Sequence, residues 1–271
     1  MHGSRSTGKT IFLKVGARTR TMKVSIITVC LNSAETIEDT IRSVLVQNYK
    51  EIEYIVIDGC SIDGTLEILA KYQGGISRCI SEPDRGVYDA MNKGIKLATG
   101  DIVGFLNAGD FYAVETAISQ IATSFQKNDC EVVYADLEYV AEDSPSKTVR
   151  RWKSQPYQEG LFEKGWHPPH PTFFVKKCIF DEYGSFDLRY DIGADYELML
   201  RFLKKHSIRS CYIPSVLVKM RTGGKSNKNL WQIIKANIEC FKAWKRNGLK
   251  ITPFIILKKP ASKLIQYMKR N

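Results

Sequence analysis

Asp110 closes the stretch Gly100-Asp101-Ile102-Val103-Gly104-Phe105-Leu106-Asn107-Ala108-Gly109-Asp110, and most of the chemistry in this chain turns on it. Ile102 to Leu106 is a short apolar run of β-branched and aromatic residues bounded by glycines, the pattern of a buried strand. A side-chain amide, a glycine and an acid follow directly. In open α/β sheets ligands bind beyond the carboxyl ends of the strands. An acid there can hold a divalent cation, which in turn holds a diphosphate. The plainer reading is a turn with a solvated aspartate. Two further acids are similarly placed: Asp58 ends the run Tyr54–Ile57, and Asp195 opens a helical run. Either could equally be a cap, Asp58 of a turn and Asp195 of a helix. His167 and His170 lie in Trp166-His167-Pro168-Pro169-His170-Pro171, where three prolines exclude regular structure. A zinc site needs more ligands than this pair; an acceptor-side or core hydrogen-bonding role suits His170.

Periodicity shows which elements position these groups. Val24–Cys30 is a dense β-branched run, hence a buried strand. Asn32 and Glu35 form a possible capping box for a helix carrying Ile37, Ile41, Val44 and Leu45. Tyr54–Ile57 reads as a second strand, Thr65 to Tyr72 as a helix, and Arg78–Ile80 as a short strand. Val87–Ala98 reads as a helix with Ala90, Met91, Gly94, Ile95 and Ala98 on one face. With Ile102–Leu106, the first half is β-α-β-α-β-α-β, the alternation of a mostly parallel sheet with helices on both faces. Strands ending at Cys30, Ile57 and Leu106 deliver polar residues to one edge. Past Asp110, the spacing of Val114, Ile118, Ile121 and Phe125 predicts a helix. Strands are expected at Val132–Ala135, Thr172–Val175 and Leu217–Met220, a polar loop at 141–147, and a helix at Asp195–His206. From Leu230, the positions Ile233, Ile234, Ile238, Phe241 and Trp244 predict an amphipathic helix rich in lysine.

A chain of 271 residues suffices for one large domain or two small ones. The seven cysteines are scattered and form no CxxC pair, which suits reduced thiols in a cytosolic protein. The net charge of +11 is concentrated: residues 219–271 carry 14 Lys/Arg against one acid, Glu239, and the remainder is nearly neutral. A basic tail suits nucleic acid or an anionic membrane surface, or is a solvated face. The interleaved aromatics and recognised module of a nucleic-acid binder are missing, so no nucleic acid is expected. No run reaches the ~18 apolar residues of a membrane span, and the start lacks the apolar core of a signal peptide. Gly3-Ser4-Arg5-Ser6-Thr7-Gly8-Lys9-Thr10 matches GxxxxGK[ST] in letters. Only Met1 and His2 precede it, so no strand fixes the loop; residues 1–21 are expected to be a leader or artificial extension outside the core.

Taken in order, SIITVCLNSAETIEDTIRSVLVQNY, EYIVIDGCSIDGT, SEPDRGVYDAMNKGIKLATGDIVGFLNAGD and GSFDLRYDIGADYELMLR resemble family 2 glycosyltransferases of the GT-A fold, over about Val24 to Ser226. The likeness is to bacterial transferases that build surface polysaccharide or O-antigen repeats. It implies an α/β domain with a Rossmann-like, mostly parallel but mixed sheet flanked by helices. That domain would span 22–226, with a nucleotide-sugar half at 22–110 and an acceptor half at 111–226, followed by a basic helical extension at 227–271. The resemblance further implies that Thr28 lines the nucleotide pocket and that Asp58 accepts the ring N–H of a pyrimidine, as an ionised carboxylate can. Asp84 and Arg85 would lie near the diphosphate or sugar and Asn92 near the sugar. Asp195 would be the catalytic base, and Arg221 or Lys225 would add positive charge at the diphosphate.

Two positions depart from the family pattern. Where its metal motif carries acids, this chain has Asn107 and Gly109, leaving Asp110 as the charged ligand for Mg²⁺ or Mn²⁺, with Asn107 as a neutral helper. One carboxylate with phosphates and waters can suffice for such a cation. Ala194 stands where an acid often accompanies the catalytic one. The implied activity is an inverting transfer from a nucleoside-diphosphate sugar, UDP favoured, to a hydroxyl of a glycan or lipid-linked acceptor. It would run in the cytoplasm or on the inner face of the cell membrane, with the apolar stripe of 227–271 either on anionic lipid or packed on the catalytic domain. The rival readings are a catalytically silent nucleotide-sugar or carbohydrate-binding module of the same fold, and a nucleotidyltransferase. The latter would want lysines and a Gly-rich loop after the first strand, where Cys30-Leu31-Asn32-Ser33 stands.

Overall fold

The computed structural model describes residues 21–222 and 230–250. The P-loop-like octet, Lys225 and everything past residue 250 lie outside the described residues. Within them, the first half alternates as expected: β1 (Val24–Cys30), α1 (Ile37–Leu45), β2 (Ile52–Asp58), α2 (Thr65–Lys71), β3 (Arg78–Ser81), α3 (Val87–Leu97) and β4 (Ile102–Phe105). β1 pairs in parallel with both β2 and β4, and β2 with β3, so the carboxyl ends of four strands share one edge.

The second half makes the sheet mixed. Its elements are β5 (Asp110–Tyr112), α4 (Ala117–Lys127), β6 (Val132–Val140), β7 (Thr148–Trp152), β8 (Phe174–Lys176), α5 (Lys177–Tyr183), α6 (Ala194–Leu200), β9 (Ser210–Arg221) and α7 (Leu230–Arg246). Strand order is β3-β2-β1-β4-β8-β6-β9-β5, with β7 also on β6. β8 runs antiparallel to β4 and β6, and β6 pairs in parallel with β9. Several of these strands differ from the periodicity reading. β5, between Asp110 and the expected helix, has no signal in the sequence, because three residues are too short for a period-2 pattern and pairing with β9 defines them. β9 runs through Pro214, and its register against β6 slips on either side of Asp136, as a bulge there allows. α6 is a short α-helix continued by a π-helical turn, Arg201–Lys205.

Alternate residues of the strands feed two cores. Ile27, Val29, Ile55 and Ile57 face one side, packing with α3, α6 and α7; Ile26, Val24, Val56 and Tyr54 face α1, α2 and α4. Each fully buried Ile, Val or Phe contributes roughly 1.5–3 kcal/mol, so a strand buried on both faces is the strongest local determinant of the fold. α7, expected as part of a separate tail, packs into the first of these cores: Trp244 is fully buried and its Nε1 donates to the Tyr196 hydroxyl at 2.9 Å.

Candidate active site

The turn between β4 and β5 is built tightly around Asp110. The Asp110 amide donates to the Asn107 carbonyl at 2.9 Å, and the Thr40 hydroxyl donates to the Asp110 carbonyl at 2.7 Å while accepting from the Gly109 amide at 3.0 Å. Gly109 has φ 95°, a left-handed conformation that strains an aspartate, which is a physical reason for the missing acid at that position. Arg221, at the end of β9, donates to the Gly109 carbonyl at 3.1 Å, pairs with Asp39 and lies over the Phe111 ring. Arg221 thus braces the turn and brings positive charge to Asp110.

Asp110 is 5 % exposed and its carboxylate receives no hydrogen bond from the described residues. Burial pushes its pKa up to about 8, with the Arg221 charge opposing the rise. The Asn107 Oδ1 atom is also buried without a partner. Two desolvated oxygens lacking donors are the hard ligands that Mg²⁺ or Mn²⁺ takes, so the residues fit a divalent cation. Among the described residues no group of three or more His, Cys, Asp or Glu gathers. Phosphate and water oxygens would have to complete the shell.

Several residues expected around the nucleotide are used otherwise. Thr28 is fully buried, its hydroxyl donating to the Leu106 carbonyl at 2.7 Å and meeting the Tyr54 hydroxyl at 3.1 Å. It stitches β1 to its neighbours and does not line a pocket. Asp58 is likewise buried, accepting from the Ser61 amide at 2.9 Å, the Ser61 hydroxyl and the Ser81 hydroxyl at 2.6 Å. Burial alone would raise its pKa; those hydrogen bonds outweigh burial and lower it. In this geometry Asp58 caps the turn after β2. Asn32 does not cap α1: at φ 48° its Oδ1 accepts from Ile62 N, tying the loop after β1 to that same turn. Asp84 lies against Gly59 and pairs with Lys93 at 2.6 Å, whereas Arg85 is exposed and pairs with Asp89. Asn92 engages both ends of its amide on the Phe186 backbone at 2.9 Å, clamping α3 to the segment before Asp195.

Asp195 sits in the first turn of α6, its Oδ1 accepting from the Tyr196 amide at 2.7 Å. Tyr88, from the first turn of α3, donates to the Ile192 carbonyl at 2.5 Å and stands 3.3 Å from the same Asp195 oxygen. His170 stacks on Phe105 at 5.5 Å and meets Phe186 edge-on. Burial lowers its pKa against the pull of Asp195, which keeps the ring neutral near pH 7. Phe105 of β4 thus stacks on His170, whose ring feels the Asp195 charge, and the turn beyond β4 carries Asp110. The sequence reading missed Tyr88, which looks like one more core aromatic, and Glu239. The latter had a signal, as the single acid among residues 219–271.

Comparison with known proteins bears on this arrangement. Residues 25–180 match the model of Glycosyl transferase family 2. An uncharacterized glycosyltransferase of Mycobacterium tuberculosis is 32 % identical over 180 residues, 66 % of this chain and 68 % of the relative. A putative teichuronic acid biosynthesis glycosyltransferase of Bacillus subtilis is 31 % identical over 143 residues, 51 % of this chain and 56 % of its own. Among solved structures, S. aureus TarS 1–349 with UDP-GlcNAc superposes with TM-score 0.65 at 15 % identity, covering 92 % of this chain and 74 % of that one. A Pyrobaculum calidifontis mannosyltransferase with GDP-Man and Mn²⁺ gives TM-score 0.61 at 16 % identity, covering 93 % and 77 %. These likenesses establish the GT-A fold.

Proposed function

The chain belongs to glycosyl transferase family 2, and on that premise we propose that this glycosyltransferase moves a sugar from a nucleoside-diphosphate donor, UDP favoured, to an acceptor hydroxyl with inversion. One observation carries the reading: the desolvated carboxylate of Asp110 and the orphan Asn107 oxygen both belong to the turn past the carboxyl end of β4. Asp195 takes the proton of the acceptor hydroxyl as its oxygen attacks the anomeric carbon. The bond from that carbon to the diphosphate oxygen breaks, and the diphosphate leaves with the electron pair. A single displacement of this kind inverts the anomeric centre. The Tyr196 amide and Tyr88 orient Asp195, and the neutral His170 ring walls the acceptor side. Arg221 keeps positive charge near the leaving group while bracing the Gly109 turn. A divalent cation held by Asp110 with Asn107 would neutralise charge developing on the diphosphate. For Asp58 the capping geometry supports an indirect part: it shapes the turn on which a base would rest. Asp84 and Arg85, at the carboxyl end of β3, are proposed to flank the donor.

The acceptor is proposed to be a glycan or lipid-linked glycan of the cell surface, met at the cytoplasmic face of the membrane. α7 supports this: Trp231, Ile234 and Ile238 are 75, 41 and 49 % exposed along one stripe, with Lys235, Lys242 and Lys245 around them. No helix among the described residues is long and apolar enough to cross a membrane. Equal recovery on anionic and neutral liposomes would remove the electrostatic part of this proposal.

The test of transfer is release of nucleoside diphosphate from a panel of UDP-, GDP- and TDP-sugars with Mn²⁺, Mg²⁺ or EDTA. Asp195→Asn is expected to keep UDP binding and lose turnover by about 10²–10⁴-fold, the range for a positioned base. Turnover equal to the parent in both Asp195→Asn and Asp110→Asn would defeat the mechanism.

A further inference from the structure

The loop before Asp195 is held by a residue 44 positions later, on α7. Glu239 is 5 % exposed. Its Oε2 accepts from the Gly193 amide at 2.8 Å and the Ile192 amide at 3.0 Å, and its Oε1 accepts from the Asp191 amide at 3.3 Å. Three successive amides thus converge on one carboxylate. From the other side the Tyr88 hydroxyl donates to the Ile192 carbonyl, so the segment is gripped on both faces. The approach is close: a Cβ on Gly193 would stand 3.3 Å from the Glu239 Cβ and 3.4 Å from its Oε2. Gly193 is the residue from which α6 starts, and Asp195 lies in that first turn.

We infer that Glu239 is a positioning residue for the reaction: it sets the 191–193 backbone, and through it the Asp195 carboxylate, against the acceptor. This rests on the reading of Asp195 as the base. A carboxylate accepting several backbone N–H groups makes charge-assisted bonds stronger than neutral ones. Without them the amides at 191–193 have lost their acceptor and the loop is free to rotate. A misplacement of about 1 Å can cost 10²-fold in rate. α7 is held by other contacts besides Glu239. Trp244 is buried on Tyr196, Asn247 donates to Glu197 at 2.9 Å, and Lys235 pairs with Asp191.

The experiment compares the full-length parent with Glu239→Ala, Glu239→Gln and Asp195→Asn. Turnover is read as diphosphate release from the panel sugar that the parent uses fastest, and donor affinity as UDP binding by calorimetry with Mn²⁺. Glu239→Ala is expected to lower kcat about 100-fold with UDP affinity within twofold of the parent. Glu239→Gln keeps one carbonyl oxygen for the Gly193 and Ile192 amides and is expected to recover about tenfold of that loss. Trp244 fluorescence reports whether α7 stays docked. Parent kcat in both Glu239 variants, with Asp195→Asn inactive, would overturn the positioning role alone. A fall in UDP affinity matching the fall in kcat would overturn it as well, since that marks general loosening. Parent turnover in Asp195→Asn would remove the base reading, and this inference with it.

Discussion

Glu53 and Asp110 are buried carboxylates on one sheet, 4 and 5 % exposed, and their surroundings are opposite. Glu53 lies at the amino edge, where the Ser25 hydroxyl donates at 2.6 Å, the Thr99 hydroxyl at 2.6 Å, the Thr99 amide at 2.7 Å and Lys23 at 3.1 Å. Burial alone would raise its pKa, but those donors bring it down to about 2. Asp110 lies at the carboxyl edge with no hydrogen-bond donor among the described residues, and burial takes it up to about 8. Desolvation raises both groups; at one edge the chain's own donors outweigh it, and at the other only the Arg221 charge opposes it. The closed edge stabilises the fold; the open edge has free valence for a ligand.

Removing each carboxylate should separate the two roles. The largest effect is expected from Asp110→Asn, with metal-dependent turnover falling at least about 100-fold, as for loss of a principal electrostatic stabiliser. The same variant should melt higher than the parent in metal-free buffer at pH 8, by about 5 °C. The sign follows from its raised pKa: the unfolded state ionises above about 4 and the folded state does not, so Asp110 costs stability as pH rises toward 8. Near pH 4 the two melting curves should coincide, and a parent that melts higher at pH 8 would break the comparison.

Glu53→Gln should do the reverse, lowering the melting temperature by about 5 °C at pH 7 with kcat unchanged, for roughly 2 kcal/mol of lost stability. Its folded pKa is depressed, so this contribution is present above about 4.5 and fades as pH falls toward 2. Differential scanning calorimetry across that window checks it; a deficit as large at pH 3 as at pH 7 would count against the linkage. A smaller change is expected from Asn107→Asp, which adds a second acid at the open edge. Mn²⁺ should bind about tenfold tighter by titration calorimetry while the metal-free protein melts lower. Smallest of all, Thr99→Val should cost about 1 kcal/mol in denaturant melts and leave metal binding alone.

The elements around this contrast were unevenly legible. β1, β2, α3 and β4 can be read from letters because burial on both faces demands dense apolar runs or a clean helical stripe. β5 and β7 cannot. Three residues of β5 become a strand through β9, distant in sequence, and the half-polar Thr148–Trp152 through the neighbouring β6. Among candidate site residues, Asp110 and Asp195 are legible because each ends or begins a periodic run. Thr28 and Asn92 were assigned to ligands although Tyr54 and Phe186 claim their polar atoms, and no local pattern announces such partners. Glu239 shows the converse: its oddity in a basic stretch was visible, but its target was 46 residues upstream.

α7 also sets an order in time. During synthesis the amino-terminal part folds first, and strands β1 to β4 can pair using residues 24–105 alone. The strand carrying Asp110 waits for β9, and the loop carrying Asp195 waits for residue 239. A growing chain therefore pairs β1 to β4 while neither the strand of Asp110 nor the loop before Asp195 is yet fixed.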